Sequence, residues 1–392
     1  MSLLESSALR TTPAPLAATR LPSQEYALAL AATLDAYAVA ASSPTNALYL
    51  IDKSTLKNVS TLPGHAGAIT GLRAVDSIGG AEGGVLVSSG RDGAVKVWDT
   101  RSRSVGLQMS APGHALLAFD VAPDGRTLAA GTDLAGDDAL VLFFDPRAPR
   151  APLHTHSATH SDDVTAVHFH AGGGTLLTAS SDGLVCTSRA GEADEDEAVL
   201  HVGNWGCSVA QAGWVRVSAG AQVWAASDME TFSCWTGELD LLQSQDIRKP
   251  SAHSQSLTWV TDYLIGCHNA STAGGSAGLG VFVGSNEGDV ALITSSHLSN
   301  AEAPWSLERL WTHGHVGVVR SVLWDESNNV LLTGGEDAIV NAWTCPPLVP
   351  SSSDDDAMDV DMEGPESPGA SRKRGWDARG GEDEGGKKAR RA

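Results

Sequence analysis

Residues 64–101 constrain this chain more than any other stretch, because they hold one complete structural unit whose parts return later in the sequence. The unit opens Gly64-His65-Ala66, turns at Arg91-Asp92-Gly93 and closes Val97-Trp98-Asp99. Apolar and small residues alternate up to the glycine turn, then alternate again beyond it. That period of two on both sides of a turn is a hairpin signal, and the unit has room for four strands.

Within it, His65, Ser88, Asp92 and Trp98 hold a spacing that recurs as His315, Thr333, Asp337 and Trp343. A third copy, His160, Thr178 and Asp182, carries Ser188 where the Trp would stand. An aspartate only accepts hydrogen bonds, an indole only donates, and a neutral imidazole does both, so the four side chains can satisfy one another in a nearly dry core.

These residues resemble the WD-repeat β-propeller family, whose units start on Gly-His, end on Trp-Asp and form four strands each. The resemblance implies an all-β fold, a single seven-bladed WD-repeat β-propeller over residues 24–345, and structural tetrads at the eleven positions just named. It also implies that an N-terminal strand within residues 1–23, around 16–21, closes the ring, since the last repeat ends one strand short at Trp343. Histidine starts at His65, His114, His160 and His315 leave room for two degenerate repeats in the last interval, over 205–235 and 256–295. Those two lack the histidine and cannot hold an intact tetrad.

From 346 onward the pattern stops. Residues 346–392 form an acidic and then basic tail without enough apolar surface to fold, and are expected to be disordered. Arg372, Lys373 and Arg374 precede Lys387, Lys388, Arg390 and Arg391 at the spacing of a bipartite nuclear import signal, so the expected location is the nucleus, reached through an import receptor.

The formal charge is −21. Residues 351–392 hold 11 acidic and 8 basic side chains, net −3, which leaves −18 on residues 1–350. Such a body repels phosphate backbones, so direct nucleic-acid binding by the ring is disfavoured. The five cysteines show no paired spacing and read as reduced. Residues 26–41, interrupted by Asp35, are too short to span a bilayer, and no signal peptide is evident. The chain is expected to be a monomer without membrane contact.

Three groups of residues invite a functional reading. A Ser, His and Asp in one unit suggest a hydrolase, but hydrolysis needs an exposed hydroxyl beside an oxyanion site; neither enzyme activity nor a cofactor is expected. His154, His156, His160, His168 and His170 crowd together, yet no acidic or Cys partner stands at metal spacing, so no metal is expected. Asp133, Asp137, Asp138, Asp162 and Asp163 fall in two turns on one face and suggest a dock for a basic peptide or protein. Trp98-Asp99-Thr100-Arg101 and Asp145-Pro146-Arg147 resemble the box by which WD-repeat proteins attach to the adaptor of cullin-4 ubiquitin ligases. The expected function is a nuclear, non-enzymatic scaffold for protein interactions, with a ligase substrate receptor as the alternative.

Overall fold

Strands that bury both faces dominate this chain. In Leu48–Asp52, Leu48 and Leu50 pack into one apolar cluster while Tyr49 and Ile51 pack into another. A sheet buried on both sides must have a neighbour on each, and a ring of sheets supplies that without open ends.

The computed structural model describes residues 3–217, 220–254, 257–271 and 277–348. The expectations for the tail from 349 onward, including both basic clusters, lie outside the described residues. The rest forms a seven-bladed β-propeller. Blade 1 covers residues 27–62, blade 2 69–110, blade 3 116–156, blade 4 164–204, blade 5 209–246, blade 6 263–311 and blade 7 319–344. Each blade interface holds its own apolar cluster: 1 with 2, 2 with 3, 3 with 4, 4 with 5, 5 with 6, 6 with 7 and 7 with 1.

The first strand of each blade lines the central channel, and all seven share one irregularity. The register slips by one residue just after the start, between Ala27/Ala29, Ile69/Gly71, Leu116/Ala118, Val164/Ala166, Val209/Gln211, Leu264/Gly266 and Val319/Ser321. A bulge adds one unpaired residue and sharpens the local twist. In two blades the extra side chain reaches the next blade: Thr70 donates to the Leu116 carbonyl and Thr165 to that of Val209.

The N-terminal segment takes part twice. Ala17–Arg20 lies antiparallel to Ile339–Thr344 as the outer strand of blade 7. Leu3–Thr12 lies parallel to Trp305–Trp311 as a fifth strand of blade 6. The sequence offered no period for this second strand because a wide register shift between Glu5 and Arg10 breaks its alternation. Only Leu3 is buried, with Leu9 packed beside it. Blade 6 also begins and ends later than the sequence spacing suggested. A small hairpin, Ser251–His253 with Thr258–Val260, takes up the intervening residues and is pinned by buried Trp259.

Candidate interaction surfaces

The tetrads form as chains of hydrogen bonds. In blade 2 the Trp98 indole donates to Ser88 Oγ (2.8 Å), Ser88 meets His65 Nε2 (2.7 Å), and His65 Nδ1 meets Asp92 Oδ1 (2.8 Å). Burial holds the His65 imidazole below its usual range against the pull of Asp92. The ring is therefore neutral, with its proton on Nδ1 facing Asp92 and Nε2 accepting from the hydroxyl. Burial works to raise the Asp92 carboxyl, but His65 and the Ala66 N–H outweigh it and bring it below the usual carboxylate range. Blade 7 repeats the arrangement: Trp343 to Thr333 (2.9 Å), Thr333 to His315 (2.7 Å) and His315 to Asp337 (3.1 Å).

Blade 4 joins His160 to Thr178 (2.9 Å) and Asp182 (3.3 Å), with no indole on the hydroxyl. Blade 3 has no tetrad. His65, His160 and His315 precede their inner strands by four residues, but His114 precedes Leu116 by two and its Nδ1 is buried without a partner among the described residues. The His114 start therefore marks a shorter entry turn. Ser88 and Thr333 are fully buried and Thr178 is 3 % exposed, so none of these hydroxyls can meet a substrate.

The other histidines do not converge on one point, although the His154 and His156 rings lie 5.3 Å apart. His154 stacks on Phe143 at 4.2 Å, His156 faces the Glu192 carbonyl (3.2 Å), and His170 abuts Trp214 edge-on. No metal-holding group occurs among the described residues.

The five aspartates divide into two sets. Asp133 accepts from the Ala115 N–H, Asp162 from the Asp163 N–H, and Asp163 from the Leu134 N–H across the blade interface, each at 2.8 Å. These three shape the turns. Asp137 and Asp138 are exposed, with no side-chain partner among the described residues. On the opposite face, where third strands run into fourth, Arg101 is 95 % exposed and stands 3.9 Å from Asp99. Arg147 is instead held by Asp145 through two bonds of 2.9 and 2.7 Å.

A further constellation, missed in the sequence, lines the channel. Arg73, Asp120 and His168 each stand four residues after the start of successive inner strands, a common register that would have revealed them once those strands were aligned. Arg73 Nε donates to the Phe119 carbonyl (3.1 Å) and NH2 to His168 Nδ1 (2.8 Å), while NH1 lies 3.5 Å from Asp120. Burial, reinforced by the Arg73 charge, brings the His168 imidazole down to about 3, so it serves as a neutral acceptor. Burial raises the Asp120 carboxyl despite Arg73, and its two oxygens accept from Val121 and Phe169 N–H. Across the channel, Trp214 donates to the His168 carbonyl (3.0 Å), Asn269 joins Trp214 to Arg216, and His268 meets Glu326 at 2.6 Å.

Fold and tetrads together define the class: a seven-bladed β-propeller carrying WD repeats. The profile of the WD domain, G-beta repeat, matches residues 56–99, 150–186 and 307–344, which take in the three histidine networks. Among individual proteins, the runs at 131–147, 159–170, 180–185, 245–248, 262–266 and 331–338 resemble WD repeat-containing protein 89. The chain is 28% identical to the WD repeat-containing protein 89 homolog of Dictyostelium discoideum over 332 residues, 83% of this chain and 84% of that one. It is likewise 28% identical to WD repeat-containing protein GTS1 of Arabidopsis thaliana over 353 residues, 86% of this chain and 83% of that one. A chain in the crystal structure of the mitotic checkpoint complex shares the fold, with a TM-score of 0.63 at 13% identity over 86% of this chain and 93% of its own.

Proposed function

We propose that this protein is an interaction scaffold, and that the face carrying Asp137 and Asp138 holds a basic segment of a partner protein. The observation behind the reading is a surplus of uncommitted carboxylates. Turns between second and third strands bring Asp137, Asp138, Asp228 and Glu287 to this face, all exposed and without side-chain partners among the described residues. Arg320, a cation beside the same face, is spent on Glu336 at 2.7 Å. A rigid ring presents these groups at fixed separations, so docking costs little loop ordering.

The test is fluorescence anisotropy with a labelled Lys/Arg decapeptide at two salt concentrations. Converting the four residues to Lys should weaken binding about tenfold or more and abolish its salt dependence. Equal binding by wild type and the folded variant would remove this reading.

Import to the nucleus through the two clusters at 372–391 belongs to the same proposal. A fluorescent reporter fused to residues 365–392 should enter the nucleus, and a cytoplasmic reporter would reject it. The ligase alternative draws support from the exposure of Arg101. Arg101→Glu should then release the cullin adaptor, whereas Arg147 is already engaged by Asp145.

A further inference from the structure

The channel ends in a cavity of about 1030 Å³ on the face opposite Asp137 and Asp138, where inner strands run into their first turns. Arg73, His168, Trp214, Trp224, His268 and Trp324 are among its lining residues. We propose that this mouth binds a carboxylate presented by a peptide, an acidic side chain or a free chain end, between aromatic walls.

The argument comes from which polar groups are already committed. The Trp214 indole N–H goes to the His168 carbonyl and that of Trp324 to the Cys345 carbonyl. Asn269 uses both ends of its amide, His268 faces Glu326, and both oxygens of Asp120 accept from backbone N–H groups. The exposed Arg216 guanidinium has no protein acceptor among the described residues, and neither do two donors held in place by the fold. One is the Arg73 NH1 group, which approaches Asp120 as an ion pair without hydrogen-bond geometry. The other is the Trp224 indole N–H.

Trp224 belongs to the second strand of blade 5 and reaches the channel over Gly213. A Cβ at 213 would lie 2.8 Å from Trp224 Nε1, so only glycine permits that approach. The guanidinium is fixed by Phe119 and His168, and His168 stays neutral, so it orients Arg73 without adding a charge. The NH1 group of Arg73 and the Trp224 indole N–H, in an aromatic setting, supply two donors for a planar anion with two acceptor oxygens. Acceptors to balance a cationic ligand are already engaged.

The proposal is independent of the basic-partner dock, because it concerns the other face and the opposite charge. Its test uses the full-length protein with a blocked, labelled peptide containing two Glu, its Gln isostere, its Lys counterpart and inorganic phosphate as a competitor. The Glu peptide should quench tryptophan fluorescence and bind about tenfold more tightly than the Gln form. Trp224→Phe, which removes one N–H and keeps the ring, should weaken the Glu peptide about threefold and leave the Gln peptide unchanged. Arg73→Lys should weaken it about tenfold, since an ammonium cannot hold Phe119 and His168 and still present a separate, fixed N–H group to the ligand. Circular dichroism and urea unfolding verify that both variants fold, and the four-Lys variant of the other face should bind the Glu peptide at least as well as wild type. Equal affinity for Glu and Gln, preference for Lys, competition by phosphate at the peptide's own concentration, or a folded Trp224→Phe with unaltered binding would each overturn the assignment.

Discussion

Blades 2 and 4 carry the same histidine, hydroxyl and aspartate, yet only blade 2 completes the chain with an indole. The His-to-Asp distance is 2.8 Å in blade 2 and 3.3 Å in blade 4. Blade 4 secures its entry turn from outside instead. Glu195, on the short helix Glu195–Ala198, accepts from the N–H groups of Ser157, Ala158 and Thr159 and from the Thr159 hydroxyl, just before His160. In blade 2 the corresponding hold is Lys96 on the Gly64 carbonyl, and in blade 7 it is Asn341 on that of Gly314. One contact is common to blades 2, 3, 4 and 7, an aspartate accepting from the backbone of the entry turn. The lesson is that the fold requires a fastened turn, and the full tetrad is one of several fasteners.

The largest test of that contrast is Trp98→Ala. It removes a side chain 3 % exposed together with the donor to Ser88, and urea denaturation should show a loss of about 3–5 kcal/mol. Blade 4 lacks the indole, so its weak point should be the clasp. Glu195→Ala should cost about 2 kcal/mol, with hydrogen exchange quickening at residues 157–161 before it does elsewhere. If exchange rises uniformly, the clasp is not local and the contrast fails.

Acidification sharpens the comparison further. His65 and His168 are held below the ordinary imidazole range, so the folded chain binds fewer protons than the unfolded chain. Their contribution is present above about pH 6.5 and is lost as pH falls below that value, continuing toward about 3 for His168. Asp92, Asp182 and Asp337 are also lowered, and their contribution drains away only below about pH 4. The urea midpoint at pH 5 should lie below that at pH 7.5, and His168→Gln, which retains an acceptor for Arg73, should flatten the difference.

The smallest expected effect is Asp182→Asn, which should cost less than Asp92→Asn because its histidine contact is longer and its turn has the Glu195 clasp. Equal losses in paired unfolding curves would show the two networks to be equivalent.

Much of this was legible because turn geometry fixes spacing. A hydroxyl four residues before an aspartate and an indole six after it survive as a pattern because both flank one tight turn. Seven blades followed from the intervals between histidines, although His114 belongs to a different turn. The channel group was hidden because its members lie in separate blades, joined by register and not by neighbourhood in sequence. The aspartate patch looked uniform in the sequence because residue type does not reveal which carboxylates are spent on backbone N–H groups. The fifth strand of blade 6 escaped notice because main-chain pairing at a sheet edge imposes little apolar period.

The pairing of Ala17 with Ala342 bears on how the molecule is made. A ribosome delivers the first of these long before the second, so the opening segment must remain unlatched while blade after blade is laid down. The circle locks only when the last hairpin arrives, making closure the slow, long-range step of assembly and the moment when both strand edges are most open to mispairing.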